Sequence, residues 1–205
     1  MREKLLIFDF DGTIADTKAL YYRAIFHELR FLGFSEKQVE KAIDVGLSLR
    51  KTFSKLGFSF FKSIFLKRKI MKNLEKHIND VKKCHDAELI KKVHGKKILV
   101  TNSLREFAVP VLKHLKIGDE FSEIYGADDF SDKAEFISGY LKKNKIDRKN
   151  CYYIGDRAAD VILAKKAGIV SVIVSGKCSW NSRSEILKEN PDFFISDLKE
   201  INEII

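Results

Sequence analysis

The chain lacks the features that mark membrane, secreted and zinc-binding proteins. It has no run of 18 apolar residues, which excludes a membrane-spanning helix. Residues 1–4 lead directly into a predicted strand, so we expect no signal peptide. The three cysteines, Cys84, Cys151 and Cys178, are odd in number and lack the paired spacing of a zinc site or disulfide framework. The five histidines are scattered without metal-ligand spacing. We therefore expect a protein of the reducing cytoplasm.

Charge, by contrast, is plentiful and unevenly distributed. The chain has 205 residues, of which 45% are hydrophobic and 33% charged, which suits a soluble globular domain with a substantial insertion. Its net charge of +9 is concentrated in residues 51–97, which carry fourteen Lys/Arg and four Asp/Glu. This basic segment is either a solvated helical surface or a funnel that attracts an anionic, phosphorylated substrate. No nucleic-acid-binding motif accompanies it, so we do not expect a nucleic-acid partner.

The first half of the chain has mainly helical periodicity. A strand at residues 4–9 is followed by about eighty residues in which apolar side chains recur at helical spacing. Asp16 and Thr17 are predicted to cap the first helix, and Ser35 with Gln38 forms a capping box for the next. A later apolar stripe is predicted to pack on neighbouring helices: Phe61, Ile64, Phe65, Met71, Leu74 and Ile78.

After residue 95, strand-like and helical runs alternate. The predicted strands lie at 98–100, 121–125, 152–154, 170–174 and 193–195. The predicted helices lie at 103–115, 132–144, 157–167, 182–189 and 197–204, and Pro110 should kink or delay the first. Such alternation predicts an α/β fold, a doubly wound, mainly parallel, Rossmann-like sheet with an inserted helical domain. We assign residues 1–15 and 90–205 to the core and residues 16–89 to the insertion.

A pair of carboxylates follows the first strand. Asp9 and Asp11 alternate with Phe10, so both point the same way from the carboxyl end of the strand, and Gly12 turns the chain behind them. Two adjacent like charges need a compensating cation. Because hard divalent cations prefer oxygen ligands, Mg²⁺ is the obvious candidate.

Polar residues also follow two later strands. Thr101, Asn102 and Ser103 come after one, and Gly155 and Asp156 come after another. The carboxyl ends of parallel strands share one edge of a sheet, where ligands bind. We therefore expect these groups to converge on Asp9, although the strand order itself is not readable from the sequence.

Four motifs in order carry a resemblance to a known family. Residues 9–13 (DFDGT), residues 101–103 (TNS), Lys133 and residues 155–160 (GDRAAD) resemble the four motifs of the haloacid dehalogenase superfamily of phosphotransferases. The resemblance covers the whole chain, and its helical insertion looks like the small α-helical cap of that superfamily. The branch it most resembles is the phosphoglycolate-phosphatase-like one. Family members that displace halide lack an aspartate at position 11, so the resemblance points to a phosphatase.

The resemblance implies catalytic roles for the first motif. Asp9 would be the nucleophile that forms an aspartyl-phosphate, and it would also ligate Mg²⁺. Asp11 would be the general acid and base, while its backbone carbonyl ligates the metal. Gly12 would let the backbone approach the phosphoryl group, although a plain turn glycine also accounts for it.

The other motifs would hold the phosphoryl group and the metal. The Thr101 hydroxyl and the backbone N–H groups of Asn102 and Ser103 would bind phosphoryl oxygens. Lys133 would be the fixed cation; many members follow this lysine with proline, whereas here Ala134 follows.

The last motif supplies the remaining metal ligand. Asp156 would ligate Mg²⁺, and Asp160, one helical turn later, would hold a metal-bound water or orient the lysine. We expect Arg157 to be solvated.

The sequence thus predicts a cytoplasmic, Mg²⁺-dependent phosphatase, monomeric or homodimeric, for a small anionic phosphorylated metabolite. A phosphosugar mutase of the same superfamily is the nearest alternative. A non-catalytic module that binds nucleic acid or protein through the basic cap is another. A specificity loop is expected at residues 45–50, with Arg50 as a candidate contact for a substrate anion.

Overall fold

A six-stranded parallel sheet forms the centre of the structure, a computed structural model that describes residues 4–43, 49–84 and 87–205. The strands, in chain order, are β1 (Leu5–Phe8), β2 (Ala15–Asp16), β3 (Lys82–Lys83), β4 (Lys96–Val100), β5 (Glu123–Tyr125), β6 (Cys151–Gly155), β7 (Val170–Val174) and β8 (Phe193–Ile195). Six of these strands form the central sheet in the order β5-β4-β1-β6-β7-β8, and every pairing in it is parallel. Strands β2 and β3 form a separate two-stranded sheet. The parallel sheet predicted from the alternating pattern is therefore confirmed.

Helices of the core cover both faces of this sheet, and four further helices belong to the insertion between β2 and β3. In chain order, the helices are α1 (Lys18–Arg30), α2 (Glu36–Ala42), α3 (Leu49–Lys55), α4 (Phe60–Lys76), α5 (Arg105–His114), α6 (Lys133–Lys143), α7 (Ala158–Ala167), α8 (Arg183–Lys188) and α9 (Ile201–Ile204). Leu6 and Phe8 of β1 belong to a core cluster with α5, while Leu5 and Ile7 face a second cluster with α6 and α7. Each fully buried side chain of this kind contributes about 1.5–3 kcal/mol. The continuous apolar run of β1 reflects this two-sided burial.

Helices α1 to α4 form the cap inserted after β1. The chain leaves the core through β2 and returns through β3, and these two short strands pair antiparallel, with Ala15 opposite Lys83. The capping box of Ser35 and Gln38 is present at the start of α2. The predicted domain boundaries after residues 15 and 89 stay predictions. Residues 45–48 of the loop predicted at 45–50 lie outside the described residues, as does the Arg50 side chain, and residues 49 and 50 begin α3 instead of belonging to a loop.

The outer face of α4 differs from its prediction. Phe61, Ile64 and Phe65 were expected to be buried with Met71, Leu74 and Ile78, but they are 82%, 37% and 58% exposed. The buried face instead consists of Ser63, Leu66, Ile70, Met71 and Leu74. The prediction that these three residues are buried was wrong, because two rows of apolar side chains run along α4 and only one of them packs on α1 and α3.

The remaining elements follow the predicted pattern closely. Helix α5 begins at Arg105, two residues later than predicted, and contains Pro110. The helix predicted at 197–204 is a 3₁₀ turn, Leu198–Glu200, followed by α9. Within the described part of the chain, no helix is long and apolar enough to cross a membrane.

Candidate active site

Three neighbouring strands bring the predicted groups together at one edge of the sheet. Strand β1 lies between β4 and β6, so Asp9, Thr101 and Asp156 follow adjacent strands. The Asp9 backbone N–H donates to the Ile154 carbonyl at 2.8 Å, which continues the sheet past β1 and fixes the start of the loop. The expected convergence of these sequence-distant residues is present.

Three buried carboxylates form a cluster at this edge. Asp9, Asp156 and Asp160 each offer an oxygen, and these oxygens lie within 4.8 Å of one another. The side chains are almost fully buried, with residue exposures of 5%, 0% and 4%. Carboxylate oxygens at such distances are the donors that Mg²⁺ prefers. The donor set therefore fits a hard divalent cation.

Fixed donors hold the two carboxylates that come after β6. The Thr13 hydroxyl donates to Asp156 Oδ1 at 3.2 Å, and the Trp180 backbone N–H donates to its Oδ2 at 2.7 Å. Asp160 Oδ2 accepts the backbone N–H groups of Asp156 and Arg157 at 3.1 and 3.0 Å. One oxygen of Asp160 is thus committed to the start of α7.

Two cations are buried against the carboxylates. Lys133 Nζ lies 2.9 Å from Asp9 Oδ1, over the Tyr153 ring. It stands at the first position of α6, where Asp132 accepts the backbone N–H groups of Ala134 and Glu135. The Asp132 cap thus satisfies the N–H that a proline after the lysine would remove.

Arg157 is the second cation, and the expectation that it is solvated was wrong. Its side chain is 12% exposed, stacks on Trp180 at 4.2 Å, and donates through Nη2 to the Asp11 backbone carbonyl at 3.4 Å. Arg157 Nε and Trp180 Nε1 are buried without a hydrogen-bond partner among the described residues. The guanidinium therefore sits beside the carbonyl that the family resemblance assigns to the metal.

The charges of this site do not balance within the chain. Four buried carboxylates, including Asp11, face buried Lys133 and largely buried Arg157. Burial raises the pKa of Asp156 well above its usual value, and burial with repulsion from Asp9 raises the pKa of Asp160 to about 6. A divalent cation at this cluster would favour the ionised carboxylates and offset their mutual repulsion.

The Asp11 carboxylate points away from the three clustered carboxylates. Thr17 donates to its Oδ1 at 2.6 Å, and Ser103 and Thr101 donate to its Oδ2 at 2.5 and 3.5 Å. Burial raises the pKa of Asp11, against the opposing effects of Arg157 and these hydroxyls. A buried carboxylic acid with a raised pKa can carry a proton for transfer.

Two predicted roles need adjustment at this point. Thr17 occupies the cap position of α1, but its hydroxyl makes no capping bond and contacts Asp11 instead. The Ser103 N–H donates to Thr101 Oγ1 at 3.0 Å, and Tyr21 shares a 2.7 Å hydrogen bond with the Ser103 hydroxyl. Phosphate binding by Thr101, Asn102 and Gly12 stays a prediction.

Position 12 requires glycine for two reasons, its backbone conformation and the lack of space for a side chain. Its φ is +81°, and a Cβ would collide with the Asp156 carboxylate and the Trp180 ring. A larger residue would displace the loop from the cluster.

A cleft of about 430 Å³ opens above these groups, between the core and the cap. Its floor includes Asp9, Asp11, Asn102 and Asp160. Its cap wall consists of Tyr21, Ile25, Ile43, Leu49, Thr52, Lys67 and Met71. A small molecule in this cleft would contact both parts of the protein.

Four side chains of the site were not found from the sequence: Thr17, Ser103, Arg157 and Trp180. The partners of Ser103, Arg157 and Trp180 include residues far away along the chain. Thr17 contacts the nearby Asp11, but a hydroxyl at a helix start also suits an ordinary cap. Trp180 did carry a signal, since it is the single tryptophan and follows β7 at the same sheet edge.

Comparison with known proteins agrees with this geometry. Residues 6–174 match the family model for haloacid dehalogenase-like hydrolases. A Caldanaerobacter subterraneus protein with the provisional name pyrophosphatase PpaX is 27% identical over 213 residues, covering 100% of this chain and 96% of that protein. Phosphoglycolate phosphatase from Vibrio vulnificus is 24% identical over 225 residues, covering 98% and 96%. The fold is shared by the haloacid dehalogenase-like family protein SP0104 from Streptococcus pneumoniae, with a TM-score of 0.81, 20% identity and 98% of each chain covered.

Proposed function

The chain belongs to the haloacid dehalogenase-like hydrolases, and we propose that it is a Mg²⁺-dependent phosphatase that acts on a small phosphorylated metabolite through a phosphoryl group carried on Asp9. The observation that carries the proposal is the buried contact of Lys133 with Asp9 beside Asp156 and Asp160. Burying a lysine and three carboxylates together costs folding free energy. Such costly clusters of charged groups are typical of sites that catalyse a reaction or bind an ion.

Asp9 is the nucleophile in this proposal. Its carboxylate oxygen forms a bond to phosphorus while the bond from phosphorus to the ester oxygen breaks. Lys133 neutralises part of the charge as the anionic phosphoryl group approaches. Mg²⁺, held by Asp9, Asp156 and the Asp11 carbonyl, would offset the remaining negative charge on the carboxylate and phosphoryl oxygens.

Asp11 moves the protons of both steps. Its carboxylic acid donates a proton to the leaving ester oxygen, which departs as an alcohol. The resulting carboxylate then takes a proton from the water that attacks phosphorus, and the bond to Asp9 breaks to release inorganic phosphate. The hydroxyls of Thr17 and Ser103 hold this carboxylate in place during the exchange.

The substrate is a phosphomonoester or phosphoanhydride small enough for the cleft. The relatives named phosphoglycolate phosphatase and pyrophosphatase PpaX make phosphoglycolate and pyrophosphate the first compounds to assay. Nothing in the described site favours the mutase alternative, in which the phosphoryl group returns to a sugar. A cytoplasmic location and a monomeric or homodimeric state remain expectations.

Replacement of the nucleophile tests the mechanism. Asp9→Asn should lower kcat for p-nitrophenyl phosphate and for the metabolite substrates by at least about 10³-fold, while circular dichroism shows a folded protein. Asp119→Asn, an exposed aspartate at the opposite end of the sheet, is the matched control and should retain full activity. Chelation of divalent metal should stop turnover, and added Mg²⁺ should restore it. Persistent activity in the Asp9→Asn variant would exclude Asp9 as the nucleophile.

A further inference from the structure

One basic side chain of the cap faces the catalytic cleft. Lys67 lies on α4, is half-buried, and lines the cleft with Met71, one helical turn further on. The described cap residues that line the cleft include no other charged side chain, and most of them are apolar. The cap wall is therefore a mainly apolar surface that presents one positive charge.

Lys67 is the half-buried one among the basic side chains of α4, whose other lysines and arginine are exposed, and it has no partner in the described structure. Lys69 pairs with Glu28 at 3.4 Å and lies over the Phe65 ring, and Lys62 lies over the Phe58 ring. A half-buried ammonium loses part of its hydration, and no carboxylate of the described residues compensates Lys67 for that loss. Such an arrangement is expected where a ligand supplies the missing negative charge.

We propose that Lys67 binds a second anionic group, a carboxylate or a phosphate, on the leaving group of the substrate. The inference rests on the proposed function, because the phosphoryl group itself is placed on the floor of the cleft by Asp9 and Lys133. Lys67 reaches the cleft from the cap, so it meets the part of the substrate that leaves. Substrates with a negative charge at both ends fit this site, and uncharged leaving groups do not use it.

Paired substrates with and without a second charge test the assignment, and the quantity compared is the change in their ratio between the wild type and a variant, which cancels differences in leaving-group reactivity. Phosphoglycolate is compared with its neutral amide, phosphoglycolamide, and pyrophosphate is compared with methyl phosphate. The wild type should prefer the charged member of at least one pair. Lys67→Met should lower that preference, measured as the ratio of kcat/KM values, by about 10–100-fold. Most of the loss should be a higher KM, because the contact is made before and during the reaction.

Two further variants separate a specific contact from a general effect of charge. Lys67→Arg keeps a cation at the site and should keep most of the preference. Lys72→Met removes an exposed lysine from the same helix and should leave the ratio unchanged. The pair that loses discrimination in Lys67→Met identifies the second group as carboxylate or phosphate.

Three results would overturn the inference: no preference in the wild type, kcat/KM ratios that Lys67→Met leaves unchanged for both pairs, or an equal loss in Lys72→Met. Each of them leaves the proposed function intact as long as Asp9-dependent hydrolysis of p-nitrophenyl phosphate is present. Absence of that hydrolysis in the wild type would instead contradict the proposed function.

Discussion

The Asp11 side chain shows how a few contacts divide two adjacent aspartates between two tasks. Asp9 contacts Lys133 and the other clustered carboxylates, whereas Asp11 is held by three hydroxyls on its other side. Burial raises the pKa of Asp11, which keeps a proton available to it at a higher pH than an exposed aspartate would allow. In the proposed mechanism, environment thus separates the nucleophile from the acid although both are aspartates.

Asp11→Asn should therefore lower the rate of hydrolysis most for the substrates with the most basic leaving groups. We expect kcat to fall by about 10²–10⁴-fold for an alkyl phosphate, whose leaving oxygen needs a proton. The loss for p-nitrophenyl phosphate should be smaller in the phosphoryl-transfer step, because p-nitrophenolate leaves without one. Burst kinetics with both substrates separate that step from hydrolysis of the phosphoenzyme. Equal losses in phosphoryl transfer would contradict the acid role.

Gly12 offers a second test with a matched partner elsewhere in the chain. Gly12 and Gly33 have similar positive φ values, +81° and +85°, but a Cβ at Gly33 would meet nothing within 4 Å. Gly33→Ala should cost only the left-handed backbone penalty, about 1–2 kcal/mol. Gly12→Ala should cost about 1–3 kcal/mol more because of its collision with Asp156 and Trp180. Urea unfolding of both variants measures the difference, and equal costs would show that the loop relaxes freely.

The residues found from the sequence share a short local pattern. Asp9, Asp11 and Asp156 directly follow apolar strands, and parallel pairing then brings them to one edge. The expectation that Arg157 is solvated was wrong because two of its neighbours, Asp11 and Trp180, come from distant segments of the chain. No local pattern encodes such a contact.

A polar network joins two strands and a helix at the edge of the sheet. Glu123 of β5 accepts hydrogen bonds from Lys96 of β4 at 2.7 Å, from Tyr140 of α6 at 2.5 Å, and from Tyr125 at 2.5 Å. Partial burial opposes ionisation of Glu123, but these three donors outweigh it and lower its pKa to about 2. The ionised carboxylate therefore stabilises the folded state.

Glu123→Gln should destabilise the protein by about 1–2 kcal/mol at pH 7, a range reduced for the partial exposure of the carboxylate. The folded pKa is lower than the unfolded one, so the stabilisation is complete above the unfolded value, about 4.3–4.5, and declines as the pH falls towards 2. Urea unfolding at pH 7 and pH 3.5 should show a smaller difference in the free energy of unfolding between the wild type and Glu123→Gln at the lower pH. Glu75→Gln, at an exposed position, should change stability by less than about 0.5 kcal/mol. If this difference in the free energy of unfolding did not change with pH, the ionised Glu123 would not be the stabilising group.

Strands and helices were predicted well where periodicity alone defines them. The predicted strand at 170–174 agrees with β7, and the helix at 132–144 with α6. The strand order was not readable, because it depends on which apolar faces meet in three dimensions. The exposed row of α4 was misassigned for the same reason, since Phe61 and Leu66 look equally apolar in sequence.

Charge is divided between the two parts of the protein. Residues 51–97, which include α4, carry the excess of positive charge, while the rest of the chain is nearly neutral. The cleft opens between this basic part and the acidic floor of the core. A basic surface beside a cleft raises the local concentration of anionic substrates, and salt screens the effect.

Turnover of anionic substrates should therefore depend on ionic strength through kcat/KM and not through kcat. Raising KCl from about 20 to 300 mM should lower kcat/KM by roughly 3–10-fold, because the Debye length shrinks below the width of the basic surface. A variant that reverses three exposed lysines of α4, Lys62→Glu, Lys72→Glu and Lys76→Glu, lowers the net charge by about six units without touching the cleft lining. Its kcat/KM at low salt should approach the high-salt value of the wild type, and its salt dependence should flatten. An unchanged slope would mean that these lysines form only a solvated surface, and that the cleft alone attracts the substrate.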